Sequence, residues 1–358
     1  MNNNSDEQIV IQVATLSDVA EWDTYVSAHK LASAYHKFAW LNAVKHSYGH
    51  EPLGLLATNQ SSKKIVGVLP AVLMKTPFLG KQICALPYCD VGYALADNDD
   101  IVLELQQFLT QQLSMTGCKA LEIRNIKTEP QSPSSLENQK VRMLLPLPNS
   151  SEKLLAGFKS KLRSQIRKAE KNGLIASLGT NQTLINDFYT VYIKNMRDLG
   201  SPVHAKKWFE QIVNAYEESC IISVVYKDNT PIGGGLVLKN AANASIPWAS
   251  TLREYNKLAP NMLLYWSLLE HCADSGIDTF DFGRSTYEEG TYKFKKQWGA
   301  QPQLLHWQKF DQHGALLKEQ LAATSQGKLR PIAENMWKKL PLTITVAVGS
   351  TIRPHISL

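Results

Sequence analysis

Apolar and polar positions alternate over residues 8–14, which predicts a half-buried strand, and Ser17 or Asp18 can cap a helix running to about residue 30. A second helix is expected from His36 to about Tyr48. Residues 52–58 and 65–74 form two apolar runs joined by the polar stretch 59–64, the pattern of a hairpin. Residues 82–86 suit another strand. Helical spacing then recurs over residues 100–115 through Val102, Leu103, Leu105, Phe108, Leu109 and Leu113, and residues 120–124 read as a strand.

The second half repeats this order. Helices are expected over residues 183–199 and 205–218, a hairpin over 221–226 and 232–238, a strand over 244–249 and a helix over 260–273. The last strand, 279–282, should stop at Gly283, where the chain is expected to turn. The halves align residue by residue at this point: Gly117 with Gly276, Leu121 with Phe280, Glu122 with Asp281 and Ile123 with Phe282. Two α/β units of one design are therefore expected, rather than one large sheet. The boundary falls near residues 146–151, where Pro-Leu-Pro-Asn-Ser-Ser breaks both periodicities, so the domains read as 1–148 and 149–312, with 313–358 as a tail.

Length agrees with this division, since 358 residues exceed the usual size of a single core. A hydrophobic fraction of 44% and a charged fraction of 20% describe an ordinary globular chain. The net charge of +6 suits a polyanionic partner or a membrane surface without requiring either. Residues 1–8 lack the apolar core of a secretory leader, no run is long enough to span a bilayer, and the five cysteines have no metal-ligand spacing. Reduced thiols in a cytoplasmic protein are expected.

The densest chemistry lies in residues 278–299. Arg284 and Ser285 are expected at the carboxyl end of a strand, where open α/β sheets bind ligands. After Gly290, Phe294 and Trp298 stand four apart, with Lys293, Lys295 and Lys296 among them, so a helical turn would carry an aromatic and a cationic face. Between the halves, a basic helix is expected over residues 152–171. Lys159, Arg163 and Arg167 recur at intervals of four, either as a solvated face or as a phosphate-contacting one.

Phe-Asp-Phe-Gly-Arg-Ser at Phe280 to Ser285, followed by Phe-Lys-x-x-Trp-Gly at Phe294 to Gly299, resembles the FemAB-type aminoacyl and acyl transferases. The resemblance is greatest to the branch found beside exosortase (PEP-CTERM) and exopolysaccharide clusters. Shorter matches are Val66 to Pro70, Ala85 to Tyr88, Lys161 to Ala169 and Trp337 to Leu342. The fold class it implies is α/β (α+β): two tandem GNAT-like (acyl-CoA N-acyltransferase-like) domains with a C-terminal helical tail. It also implies an acyltransferase that moves an aminoacyl or acyl group from an activated donor, aminoacyl-tRNA before acyl-CoA, to an amine of a cell-envelope or exopolysaccharide precursor. No bound cofactor is implied. By the same resemblance Lys295 and Phe294 would be catalytic, Lys295 stabilising an oxyanion. Arg284, Ser285, Tyr287, Tyr292, Arg163, Arg167, Trp40 and Tyr88 would bind substrate. The long coiled-coil arm of some bridge-forming members is missing.

Several other readings fall away. No Gln/Arg-x-x-Gly-x-Gly/Ala run marks a CoA pyrophosphate loop, which places acyl-CoA second as donor. Asp281-Phe282-Gly283 lacks the catalytic and glycine-rich loops of a kinase, and there is no Gly-x-Ser-x-Gly elbow or metal-ligand cluster for a hydrolase. A non-catalytic GNAT pair that binds a glycan or a partner is the remaining alternative. In the tail, 316–323 and 332–337 have helical apolar spacing beside Lys318, Lys328, Arg330, Lys338 and Lys339, and 342–348 is apolar but short. Either this segment makes peripheral contact with the inner face of the cytoplasmic membrane, or it packs back as a final helix and strand.

Overall fold

A computed structural model describes residues 8–77, 80–317 and 329–358. The chain forms two compact units: Met1–Thr128 with Leu305–Lys318 and His355–Leu358, and Glu129–Leu304 with Glu319–Pro354. The division falls after Thr128 instead of near residue 148, because the strand that follows, Lys140–Pro146, pairs within the second unit.

The first unit runs β1 (Ile9–Val13), α1 (Val19–Ala28), α2 (Phe38–Tyr48), β2 (Glu51–Pro52), β3 (Leu55–Asn59), β4 (Ile65–Leu69), β5 (Val72–Thr76), β6 (Gly80–Cys84), β7 (Leu95–Ala96), α3 (Asp99–Thr116) and β8 (Ala120–Ile126). The expected hairpin is present, with the Asn59 side chain accepting from the backbone of Ser61 and Ser62. The apolar run 65–74 is two strands, not one. Pro70 has no N–H for a ladder, and the chain leaves β4, which pairs with β3, to enter β5, which pairs with β6. Leu105, Leu109 and Leu113 of α3 pack with Leu69, Leu121 and Ile123 in one core.

The second unit runs α4 (Pro133–Leu136), β9 (Lys140–Pro146), α5 (Ser151–Gly157), α6 (Ser160–Lys171), β10 (Leu174–Gly179), α7 (Gln182–Leu199), α8 (Lys206–Tyr216), β11 (Cys220–Lys227), β12 (Thr230–Asn240), β13 (Asn243–Thr251), α9 (Pro260–Asp274), β14 (Thr279–Thr286) and α10 (Gly290–Lys296). β10 to β13 form an antiparallel run, β14 joins β13 in parallel, and β9 pairs with β14. In β15 (Gln301–Asp311), residues 301–304 pair with β9, and residues 305–311 pair with β8 of the first unit's own sheet. Phe280, Phe282, Leu264, Leu268, Tyr292 and Trp298 lie in one core, where each large apolar side chain contributes about 2–3 kcal/mol by leaving water.

The internal repeat is visible in the register. Ile83 and Cys84 pair in parallel with Leu121 and Glu122, and Ala244 and Ser245 with Phe280 and Asp281. Leu121 and Glu122, aligned in sequence with Phe280 and Asp281, thus make the equivalent parallel pairing in each unit.

The tail forms α11 (Leu329–Lys339) and α12 (Leu342–Ile352). The short apolar run 342–348 is helix where a strand was one expectation. Leu316 bridges to Phe310 and the Leu317 N–H donates to the carbonyl of Lys309, so the helix expected over 316–323 does not begin there; its remainder lies outside the described residues, as do Lys318 and Lys328.

Candidate functional site

β14 does not end at Gly283. It continues to Thr286, and its register steps from Asp281 opposite Leu144 to Arg284 opposite Arg142, three residues against two. The extra residue is a bulge at Phe282–Gly283. Gly283 has φ +73°, a conformation that costs any residue with a Cβ about 1–2 kcal/mol. The expected turn is therefore a bend inside a strand, and Arg284 and Ser285 lie beyond it on that same strand. β13 carries its own irregularity, with Leu236 opposite Trp248 but Leu238 opposite Ser245. The surplus there falls at Ile246–Pro247, where proline lacks a ladder donor. β13 and β14 pair only over Asn243–Ser245 and Thr279–Asp281. Past these residues, with a bulge in each, they part.

α10 brings Lys295 to this parting. Its ammonium donates to the carbonyl of Gly283 at 3.0 Å and of Arg284 at 2.8 Å, and the residue is only 7% exposed. Lys295 therefore leaves the expected cationic face, which Lys293 and Lys296 keep. A buried cation persists only with such charge-assisted partners, and here they are the carbonyls of the bulge. Phe294 is half-buried, its ring 5.1 Å from that of Tyr265, which stacks on Phe282 at 5.5 Å. Burial pushes the Tyr265 hydroxyl up to about 12. The rings of Tyr287 and Tyr292 lie 4.8 Å apart, and Lys296 sits 5.2 Å above Tyr292 and 3.5 Å from Glu288. Ser285 Oγ is buried without a hydrogen-bond partner among the described residues.

The bulge is braced by residues that the sequence pattern did not single out as site residues. Asp281 accepts from the Gly283 N–H at 2.8 Å and pairs with Arg142 at 3.6 Å, and Arg142 donates to Gln303 at 2.6 Å. All three side chains come from different strands. Only the alignment of Asp281 with Glu122 hinted at them.

The basic segment is two helices meeting at Phe158 and Lys159, not one. Arg163 donates to the carbonyls of Ala156 and Phe158 at 3.1 and 2.6 Å, closing the end of α5. Arg167 is exposed. Phe158 also touches Trp298, ring centroids 5.5 Å apart, so this joint packs against the Phe-Lys-x-x-Trp-Gly segment.

Trp40 and Tyr88 are core residues of the first unit, which corrects their expected substrate contacts. Trp40 is fully buried and donates to the carbonyl of Pro87, and Tyr88 is 4% exposed with its ring 5.3 Å from Tyr48. The first unit also parts its parallel strands beyond Cys84 and Glu122, but fills the gap with its own loop. Gly92 bridges to Arg124 there, and a Cβ at Gly92 would lie 1.7 Å from the carbonyl oxygen of Ala85. The buried Arg124 pairs with Glu122 at 2.6 Å, donates to the carbonyls of Leu86, Cys89 and Ser357, and lies 4.6 Å from the centre of the Trp307 ring. Arg124 went unrecognised as a hub because its acceptors are scattered along the sequence.

Residues 156–296 match the model of the acetyltransferase (GNAT) domain. The structure is similar to that of FemX, with a TM-score of 0.62 at 14% identity over 82% of this chain and 94% of that one. It is similar to the C-terminal domain of a putative lysylphosphatidylglycerol synthetase from Agrobacterium fabrum, with a TM-score of 0.51 at 12% identity over 81% and 90%. A tandem GNAT protein from the clavulanic acid biosynthesis pathway gives a TM-score of 0.51 at 12% identity over 85% and 98%. No curated protein matches the chain in sequence. The fold is two GNAT-like units in tandem with a helical tail, and its parted parallel strands lie within the matched domain.

Proposed function

We propose that the protein transfers an aminoacyl group from an activated ester, aminoacyl-tRNA, to an amine of a cell-envelope or exopolysaccharide precursor at the cytoplasmic side. The observation that carries this reading is the buried Lys295 ammonium fixed by two bulge carbonyls where β13 and β14 part. In aminolysis the acceptor nitrogen bonds to the ester carbon, the carbonyl oxygen takes up negative charge, and the C–O bond to the donor then breaks. The amine's proton leaves with the donor oxygen. A fixed cation in a water-poor site opposes that charge without reorganising, an effect of about 3 kcal/mol. The half-buried Phe294 and Tyr287 supply apolar and hydroxyl surface beside it, whereas Tyr292, 1% exposed, belongs to the core beneath, and the exposed Arg167 contacts donor or acceptor phosphate. The sequence resemblance to FemAB-type transferases supports the aminoacyl donor and, more finely, the exosortase-associated branch.

The match of residues 156–296 to a GNAT acetyltransferase domain favours a second donor, acyl-CoA, in the same place. One experiment separates the two. The protein is incubated with labelled aminoacyl-tRNAs or labelled acyl-CoAs and an envelope extract, and loss of label from each donor is followed. Label leaving aminoacyl-tRNA supports the first reading and label leaving acyl-CoA the second. Retention by both, with the protein still binding the extract's glycans, would make it a binding module.

A further inference from the structure

We propose that α11 and α12 form a docking surface for an anionic lipid bilayer, independently of which donor the enzyme uses. Both helices are anchored on one side. Gly200, at the end of α7, lies so close to α11 that a Cβ there would be 2.9 Å from Glu334, and one at Gly349 of α12 would be 2.8 Å from the Val203 backbone. Thr345 is fully buried. On α11, Ile332 and Met336 stand one turn apart on the side away from Glu334, and are 57% and 66% exposed. On α12, Ile344, Val348 and Ile352 form a ridge of the same spacing, each at least 41% exposed. Single exposed apolar residues are ordinary. Two consecutive helices that both expose an apolar ridge are not, and they need an occupant.

The charges choose it. Residues 329–358 hold four arginines and lysines and one acid, Glu334. Glu334 is half-buried against Gly200, so the exposed positions of this pair carry no negative charge, while Lys338 and Lys339 are exposed at the end of α11. A second copy of the chain meeting this face about a two-fold axis would set lysines against lysines. An anionic headgroup layer instead accepts the lysines at its surface and the apolar ridges beneath. Each helix has 11 residues, about 16 Å of rise, half of what hydrocarbon requires, and among the described residues no helix is long and apolar enough to cross a membrane. The pair lies on the surface and does not span it.

The test is flotation of the full chain with phosphatidylcholine vesicles, with and without phosphatidylglycerol. Binding is expected only with phosphatidylglycerol, and should fall as salt is raised. Lys338→Ala with Lys339→Ala should weaken it about 25-fold, about fivefold for each lysine. Met336→Ser with Val348→Ser should abolish it while leaving the melting temperature and the transfer of label to a soluble acceptor unchanged. Failure of the parent to float with phosphatidylglycerol, or undiminished flotation of the serine variant, would overturn the proposal. So would a parental dimer in sedimentation that the serine variant dissolves, since the occupant would then be a second copy.

Discussion

Replacing Lys295 by methionine separates the two roles that its position allows. Methionine keeps most of the apolar stem, so the buried volume is largely retained while the charge is lost. Two charge-assisted hydrogen bonds disappear, from Nζ to Gly283 at 3.0 Å and to Arg284 at 2.8 Å. Each contributes about 1.5–3 kcal/mol, but the variant also avoids desolvating an ammonium that is 7% exposed, so the net loss of stability is about 1–3 kcal/mol. If the ammonium also opposes the charge of the tetrahedral intermediate, the barrier rises by about 3 kcal/mol, or about 150-fold in turnover. Urea unfolding gives the first quantity, and initial rates of label transfer well below the unfolding transition give the second. A lowered urea midpoint with parental turnover would show that Lys295 only braces the bulge, and would refute its catalytic role.

Three further outcomes are expected. Gly283→Ala, which forces a Cβ onto φ +73°, should cost about 1–2 kcal/mol in urea unfolding and reduce turnover as the two carbonyls shift; unchanged unfolding would mean that the bulge relaxes freely. Arg163→Gln should lower stability by about 1–2 kcal/mol, because it uncaps α5, whereas Arg167→Gln should leave stability alone and flatten the salt dependence of the donor KM. Identical behaviour of the two variants would reject that division. His204 is stacked on Trp208 at 5.3 Å, and burial, then the charge of Arg353, holds its imidazole well below the usual range. It stays neutral in the fold but takes a proton when unfolded, so stability is full above about pH 6.5 and is lost as pH falls below it, by up to about 1.4 kcal/mol per unit. Urea midpoints measured down to about pH 5.5 should decline less steeply in His204→Gln, and parallel declines would exclude His204 as the source.

The strands Lys140–Pro146, Leu174–Gly179 and Gln301–Asp311 were not legible in the sequence, but the order of the main helices and hairpins and the internal repeat were. Periodicity fixes these because it records which faces are buried, and burial is a local property of each strand or helix. Hence Leu121 aligns with Phe280 and Glu122 with Asp281 in sequence, and the structure adds that these residues lie in the parallel pairing of each unit. The grouping of Lys295, Phe294, Tyr292, Tyr287, Ser285 and Arg284 was likewise legible, since they lie within about a dozen residues. The remaining features depend on partners distant in sequence. A glycine that ends a strand and one that bulges it have the same neighbours; the register against Leu144 and Arg142 distinguishes them. Arg163 and Arg167 have the same spacing and charge, but the kink at Phe158 gives one of them carbonyls to cap. Trp40 and Tyr88 are aromatic like Phe294, and only packing shows them to be core. Lys295 has exposed lysines on either side, at 293 and 296, and its burial follows from carbonyls that a bulge on another element turns towards it.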